Sequence, residues 1–180
     1  RKHLEYLIRY PHGCIEQSVS SAFPQLYLGS LMALTPEEQT TIDRNVQAAL
    51  QRLISFQQAS GGFAYWPGSR HEESDWGSTY AAHLFLEAEA LGYTLPPGVK
   101  DRWIRYAKRQ ARNWRQSTGS YYHGSQDLRQ SYRLFVLALA NEADMGAMNR
   151  LKERTNLDPR ASRRLAAAYA LTGRKDVAMK

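Results

Sequence analysis

Tyr10-Pro11-His12-Gly13-Cys14-Ile15-Glu16-Gln17 is the stretch on which the reading of this chain turns. Pro11 and Gly13 break whatever precedes them, and a helix is expected to open at Cys14. Within that helix Cys14 and Gln17 are three residues apart, so their side chains share one side of a turn. A thiolate there is favoured by the free N–H groups and the dipole of the helix start. It can approach the Gln17 amide carbon and, with loss of ammonia, leave an internal thioester. Such a bond stores an acyl group that an amine or hydroxyl can take. The bare spacing is common in helices, and Cys14, the single cysteine of the chain, could as well be a small core residue. With one cysteine there is no intrachain disulfide, and no cysteine-based metal site is expected.

Outward from this segment the chain reads as helix after helix. Leu4 to Tyr10 suggests a short helix before the break. The helix from Cys14 is expected to run to about Leu34, kinked or displaced at Pro24. Thr35-Pro36-Glu37-Glu38 is a capping box with proline at the first helical position. Ile42, Val46, Ala49, Leu50, Leu53 and Ile54 then recur at steps of three and four on one apolar face. After Ser60-Gly61-Gly62 comes an aromatic loop, Phe63-Ala64-Tyr65-Trp66-Pro67-Gly68. Ser74 or Asp75 is expected to cap a helix to about Leu91, with Trp76, Tyr80, Leu84 and Ala88 in register. Further helices are expected at about 99–116, 126–141, 144–154 and 159–172, with Gly173 as a C-terminal cap and another helix opening at Asp176. Ser117 to Ser125 reads as a loop. The stretch from Leu134 to Leu139 is apolar on most faces and predicts an inner helix. No alternating strand pattern stands out, and stacked helical hairpins are the expected architecture.

The 180 residues are 43% hydrophobic and 23% charged, enough for a core and a soluble surface. No apolar run is long enough to span a membrane. The net charge of +7 raises the question of nucleic acid. The densest basic stretch, Lys100 to Arg115, winds around a helix and reads as a solvated face. There is no zinc-finger spacing, Walker loop or RNP motif, and nucleic acid is not expected as a partner.

Gly13-Cys14-Ile15-Glu16-Gln17 resembles the Gly-Cys-X-Glu-Gln thioester motif of the alpha-2-macroglobulin and complement thioester proteins, and Tyr10-Pro11-His12 before it is similar to the bacterial members. Gly61-Gly62-Phe63-Ala64-Tyr65-Trp66, Asp75 to Ala81, Ala90 to Pro96, Tyr132 to Ala140 and Ala166 to Gly173 extend the likeness across most of the chain. The resemblance implies an all-α fold, an alpha/alpha toroid of helical hairpins. Residues 1–180 would form one thioester-containing domain, too short to close the whole ring. It implies Cys14 as the nucleophile and Gln17 as the acyl donor, with Glu16 a motif residue of unassigned role. In complement-type members a downstream His relays the acyl group and widens acceptance from amines to hydroxyls. His123, in a shortened loop with Tyr121 and Tyr122, is the candidate here, and His12 lies beside Cys14. No cofactor or metal is implied.

The resemblance also implies a use: a single-use covalent trap and not a turnover enzyme. Its partners would be target proteases, held covalently, and neighbouring domains of a longer parent that shield the bond. No direct membrane contact by this domain is expected. The compartment implied is periplasmic or extracellular, with a lipid anchor on a distant part of the parent. Two alternatives compete. One is a helical binding module with an inactive cysteine. The other is an enzyme on the same toroidal scaffold, for which Glu72, Glu73 and Asp75 are the available carboxylates but form no convincing pair. Phe63, Tyr65 and Trp66 could cover the thioester, although a packed loop anchor is the simpler expectation.

Overall fold

A computed structural model of the chain describes residues 6–69, 73–115 and 123–178, the side chains of 123–125 excepted. All regular elements among these residues are helices; the only β-type pairings are isolated bridges, Gln57 with Phe63 and Ala64 with Glu73. The chain divides into two compact units, Arg1–Trp103 and Ile104–Lys180.

The first unit holds the motif. Tyr6 and Leu7 form a turn, and Ile8 to His12 have no regular structure, so the described part of the expected first helix is not helical. Pro11 disfavours helical geometry at Tyr10. Helix α1 is short, Ile15–Ala22. Pro24 then tightens the chain into a 3-10 segment, Phe23–Tyr27, followed by a single α-turn, α2, Leu28–Leu31. The expected long second helix is therefore three pieces, because proline has no N–H to give and its ring crowds the preceding turn. Helix α3, Pro36–Leu53, begins as the capping box predicts. Thr35 N–H donates to Glu38 Oε2 at 2.7 Å, and Glu38 N–H donates to Thr35 Oγ1 at 3.2 Å. Its buried face carries Ile42, Val46, Ala49, Leu50 and Leu53, while Ile54 falls in a following 3-10 turn and is exposed.

Helix α4, Asp75–Ala90, is capped by Ser74, whose Oγ accepts from Gly77 N–H at 3.1 Å. Leu84 and Ala88 are buried as expected; Trp76 is exposed and Tyr80 only half-buried. The inward face is instead made of Ala81, Leu84, Phe85 and Ala88, small residues among them that let α4 approach α1 closely. A buried polar cluster ties the approach to the motif onto this core. Gln25 Nε2 donates to the carbonyls of Arg9 and Ser21 at 2.9 and 2.7 Å, and Asn45 Nδ2 donates to Gln25 Oε1 at 3.1 Å. Sealed from water, these groups must pair with one another, which makes the arrangement specific.

Helix α5, Val99–Asn113, starts in the first unit and continues into the second. Its basic side chains are largely engaged. Lys100 pairs with Glu89 at 2.5 Å, Arg102 Nε donates to Gln57 Oε1 at 2.8 Å, Arg112 pairs with Asp144 at 2.7 Å, and Lys108 pairs with Glu142. In the second unit α6 spans His123–Leu139, three residues earlier than the sequence suggests, and buries Leu134, Val136 and Leu137 as an inner helix. Helices α7, Met145–Lys152, α8, Pro159–Leu171, and α9, Lys175–Ala178, follow. Gly173 closes α8 at φ +79°, with Arg174 N–H returning to Tyr169 O at 3.0 Å. No helix among the described residues is long and apolar enough to cross a membrane.

Candidate functional site

Cys14 stands at the N-cap of α1 with extended backbone, φ −71° and ψ 175°, and is buried. It forms a capping box with Gln17, in which Cys14 N–H donates to Gln17 Oε1 at 3.0 Å. The usual Ser or Thr of such a box is replaced by a thiol, and Gln17 fills the Glu/Gln position. The helix start thus positions the Gln17 carboxamide against the residue that bears the sulfur. Gln17 itself is exposed, and Glu16 beside it is half-buried.

Gly13 is required twice. Its φ is +83°, where a side chain is strained, and a Cβ there would lie 2.1 Å from Gln17 Oε1 and 2.9 Å from Gln17 Cδ. The space that glycine vacates is the space the carboxamide occupies. Residues distant in sequence then hold this corner. Arg52 Nη2 donates to Gly13 O at 2.9 Å and Arg52 Nε donates to Ser18 Oγ at 3.3 Å, with the guanidinium 5.5 Å from the Phe56 ring centroid. Gly77 lets α4 abut the motif: a Cβ on it would be 2.7 Å from Ile15 Cγ2.

The aromatic loop docks from the other side. Phe63 is fully buried against Phe85, ring centroids 6.0 Å apart, and its N–H donates to Ser78 Oγ at 2.8 Å. Tyr65 O accepts Ile15 N–H at 3.1 Å, one of the orphan donors of α1. The Cys14 side chain, and after it Glu16, raises the Tyr65 phenol above its ordinary value. Trp66 packs edge-on to Tyr65 at 5.7 Å, and both remain exposed. The loop is therefore divided in role: Phe63 anchors it, while Tyr65 and Trp66 lie at the motif.

The structure brings together Cys14, Gln17 and Glu16. The side chain of His123, at the first residue of α6, lies outside the described residues, as do Tyr121, Tyr122 and Glu72. His12 is exposed and its Nδ1 lies 3.0 Å from Tyr10 O, a local contact within the turn. Glu73 accepts from Ser60 Oγ at 2.5 Å, a structural partner at the base of the loop. No group of side chains among the described residues could hold a metal ion. Arg52, Ser18, Gly77 and the carbonyl of Tyr65 on Ile15 N–H are not legible from the motif itself.

The A-macroglobulin TED domain model matches residues 1–131. The chain belongs to that family. Alpha-2-macroglobulin of Escherichia coli K12 is 30% identical over 159 residues, 84% of this chain and 10% of that protein. Alpha-2-macroglobulin of Rickettsia conorii is 26% identical over 110 residues, 59% of this chain and 6% of that protein. Among solved structures, Salmonella alpha-2-macroglobulin reacted with methylamine superposes with a TM-score of 0.81 at 26% identity, covering 99% of this chain and 12% of that one. Native Escherichia coli alpha-2-macroglobulin gives a TM-score of 0.77 at 25% identity, with the same coverage. This TED chain therefore spans about a tenth of the length of the curated E. coli relative it matches. The all-α class expected from the sequence agrees with these neighbours.

Proposed function

We propose that Cys14 and Gln17 close an internal thioester, and that residues 1–180 are the thioester domain of a bacterial alpha-2-macroglobulin-like protease inhibitor. The observation that carries the proposal is the capping box at the start of α1, with the Gln17 carboxamide seated over a glycine that leaves room only for it. Cys14 attacks the Gln17 amide carbon, ammonia leaves, and the sulfur becomes the stored leaving group. A protease that cuts the parent elsewhere would expose the bond, and a lysine of that protease would be acylated by Gln17. Each thioester is consumed once, so the chain acts as a covalent trap without turnover. Neighbouring domains of the parent would shield the bond from water. A periplasmic or extracellular parent, lipid-anchored at a distance, is the setting that the family resemblance implies. Without a His relay from His123, amines would be the preferred acceptors.

The test is the intact mass of the natively purified full-length protein before and after methylamine. A mass short by one ammonia, then gain of one methylamine at Gln17 with release of the Cys14 thiol, is the expected result. A full mass with Cys14 already free would reject the thioester and leave a helical binding module as the better reading.

A further inference from the structure

The Gly13–Cys14 peptide is held at both of its polar ends. Its N–H, on Cys14, donates to Gln17 Oε1 at 3.0 Å. Its carbonyl, on Gly13, accepts from Arg52 Nη2 at 2.9 Å. The guanidinium is itself fixed by two further contacts. Its Nε donates to the buried Ser18 Oγ at 3.3 Å, and its central carbon lies 5.5 Å from the Phe56 ring centroid. Ile15 N–H, the next donor of the helix start, is taken by Tyr65 O at 3.1 Å and is not free for the Gln17 oxygen. Glycine at position 13, with φ +83° and no Cβ, lets that oxygen come this close to the peptide. A chain of bonds therefore runs from a cation on α3, through one peptide unit, to the oxygen of the Gln17 side chain.

We propose that the Cys14 N–H is the oxyanion donor of the acyl transfer, and that Arg52 is the positioning residue that aims and polarises it through the Gly13 carbonyl. The proposal rests on the thioester reading above. When the thioester closes, the amide nitrogen leaves as ammonia and Oε1 remains as the thioester oxygen. In the transfer, an amine nitrogen bonds to the Gln17 carbonyl carbon, and the carbonyl electron pair moves onto Oε1. That oxyanion then collapses, and the carbon–sulfur bond breaks with its pair going to Cys14 Sγ. The proton given up by the nitrogen balances the one gained by the sulfur. The products are a substituted amide at Gln17 and a free Cys14 thiol. A donor on Oε1 is stronger toward the oxyanion than toward the neutral carbonyl, so it lowers the barrier more than it stabilises the stored bond. A cation on the far end of the same peptide strengthens that donor, because bonds in a chain polarise one another. The donor and the leaving sulfur belong to one residue, which fixes the oxygen and the breaking bond in a single frame.

The test is the rate of thiol release in the full-length protein, with methylamine and with water alone, for wild type, Arg52→Ala and Arg52→Lys, well below each melting temperature. Removing an oxyanion donor outright costs a hundredfold or more, and polarisation along a chain adds roughly a tenth to a third of a bond. Arg52→Ala should therefore react about two- to eightfold more slowly. Hydrolysis should slow by the same factor, since both nucleophiles pass through the same oxyanion. A merely structural arginine predicts the opposite sign: a loosened corner admits water, and both reactions quicken. Arg52→Lys keeps a cation for Gly13 O but cannot also bridge to Ser18 Oγ. It should recover most of the rate while melting near Arg52→Ala, a split that a purely structural role does not produce. A folded Arg52→Ala protein that never loses its ammonia, beside an Arg52→Lys protein that does, would support the proposal too, because closing the thioester forms an oxyanion on the same oxygen. Aminolysis as fast as wild type in Arg52→Ala, a rise in its hydrolysis, or failure of both variants to load would overturn the proposal and leave the thioester reading standing. A wild-type protein with no ammonia loss would overturn that reading and this step with it.

Discussion

Gly13→Ala separates two demands that the motif places on one residue, and the structure allows each to be sized. The first is conformational. At φ +83° an L-residue pays roughly 1–2 kcal/mol relative to its relaxed backbone. The second is steric. The new Cβ would stand 2.1 Å from Gln17 Oε1, and the oxygen must retreat to at least 3.0 Å. Gln17 is exposed, so its amide can swing into water at little strain. It then forfeits the 3.0 Å bond from Cys14 N–H, worth about 1 kcal/mol. The sum is about 2–3 kcal/mol, or a fall in Tm of about 5–10 °C for a chain of this size. The chemical loss should be greater than the thermal one. A carboxamide displaced by about 1 Å from the sulfur can close its thioester about a hundredfold more slowly. Gly92→Ala is the control, with φ +90° and no atom within 4 Å of the added carbon. It should show the conformational cost, roughly 1–2 kcal/mol, and none of the chemical one. The assay is a thermal melt of each variant beside the intact mass of the parent protein. A Gly13→Ala protein that loses its ammonia as completely and as quickly as wild type would refute the reasoning, whatever its Tm.

Arg52→Ala should destabilise the chain by about 2 kcal/mol, measured by denaturant unfolding, because Gly13 O and Ser18 Oγ both lose a charged donor. Lysine should restore little of this, since a point charge cannot bridge two acceptors as the guanidinium does. Gly77→Ala replaces a poor helix former with the best one, a gain of about 1 kcal/mol, but drives a methyl to 2.7 Å from Ile15 Cγ2. Overpacking of about 1–3 kcal/mol should outweigh the gain, and a variant melting above wild type would contradict the close approach of α4 to the motif. Asp158 caps α8, and its hydrogen bonds to Arg160 lower its carboxyl to about 2. A carboxylate lowered in the folded state adds stability that is fully present above its unfolded value near 3.8 and is lost as pH falls through about 2. The Tm difference between wild type and Asp158→Asn should therefore be constant at neutral pH and shrink between about pH 4 and pH 2; a gap that widened in acid would reverse the sign.

Local rules carried the reading wherever a single segment decides its own structure. The Thr35–Glu38 box, the stop at Gly173 and the buried stripe from Ile42 to Leu53 depend on neighbours within a turn or two, and all are found where the pattern places them. The failures have tertiary causes. Trp76 and Tyr80 share a register with Leu84 and Ala88, but α4 turns its small residues inward because Gly77 must meet Ile15. Gln25 and Asn45 look like surface residues in sequence and are buried, since each supplies the other's missing partner. The Cys14–Gln17 pair was legible because both residues lie in one helical turn. Arg52 was not, because a cation 39 residues away reveals nothing until the chain brings it to the Gly13 carbonyl.

The burial of the pair also bears on the order of events. Cys14 is enclosed and Gln17 is open. If a thioester joins them, the carbonyl carbon lies at the boundary, with its leaving group directed inward and its free face directed outward. A nucleophile can then approach without displacing the sulfur, and the thiolate it expels remains among the N–H groups of the helix start. The same geometry offers the carbon to water. Tyr65 and Trp66 are themselves 43% and 54% exposed, too open to dry the site. Protection of a stored bond would therefore have to come from apolar surface other than these two rings, laid over them. Removing that cover, with no change inside the motif, would be enough to arm it.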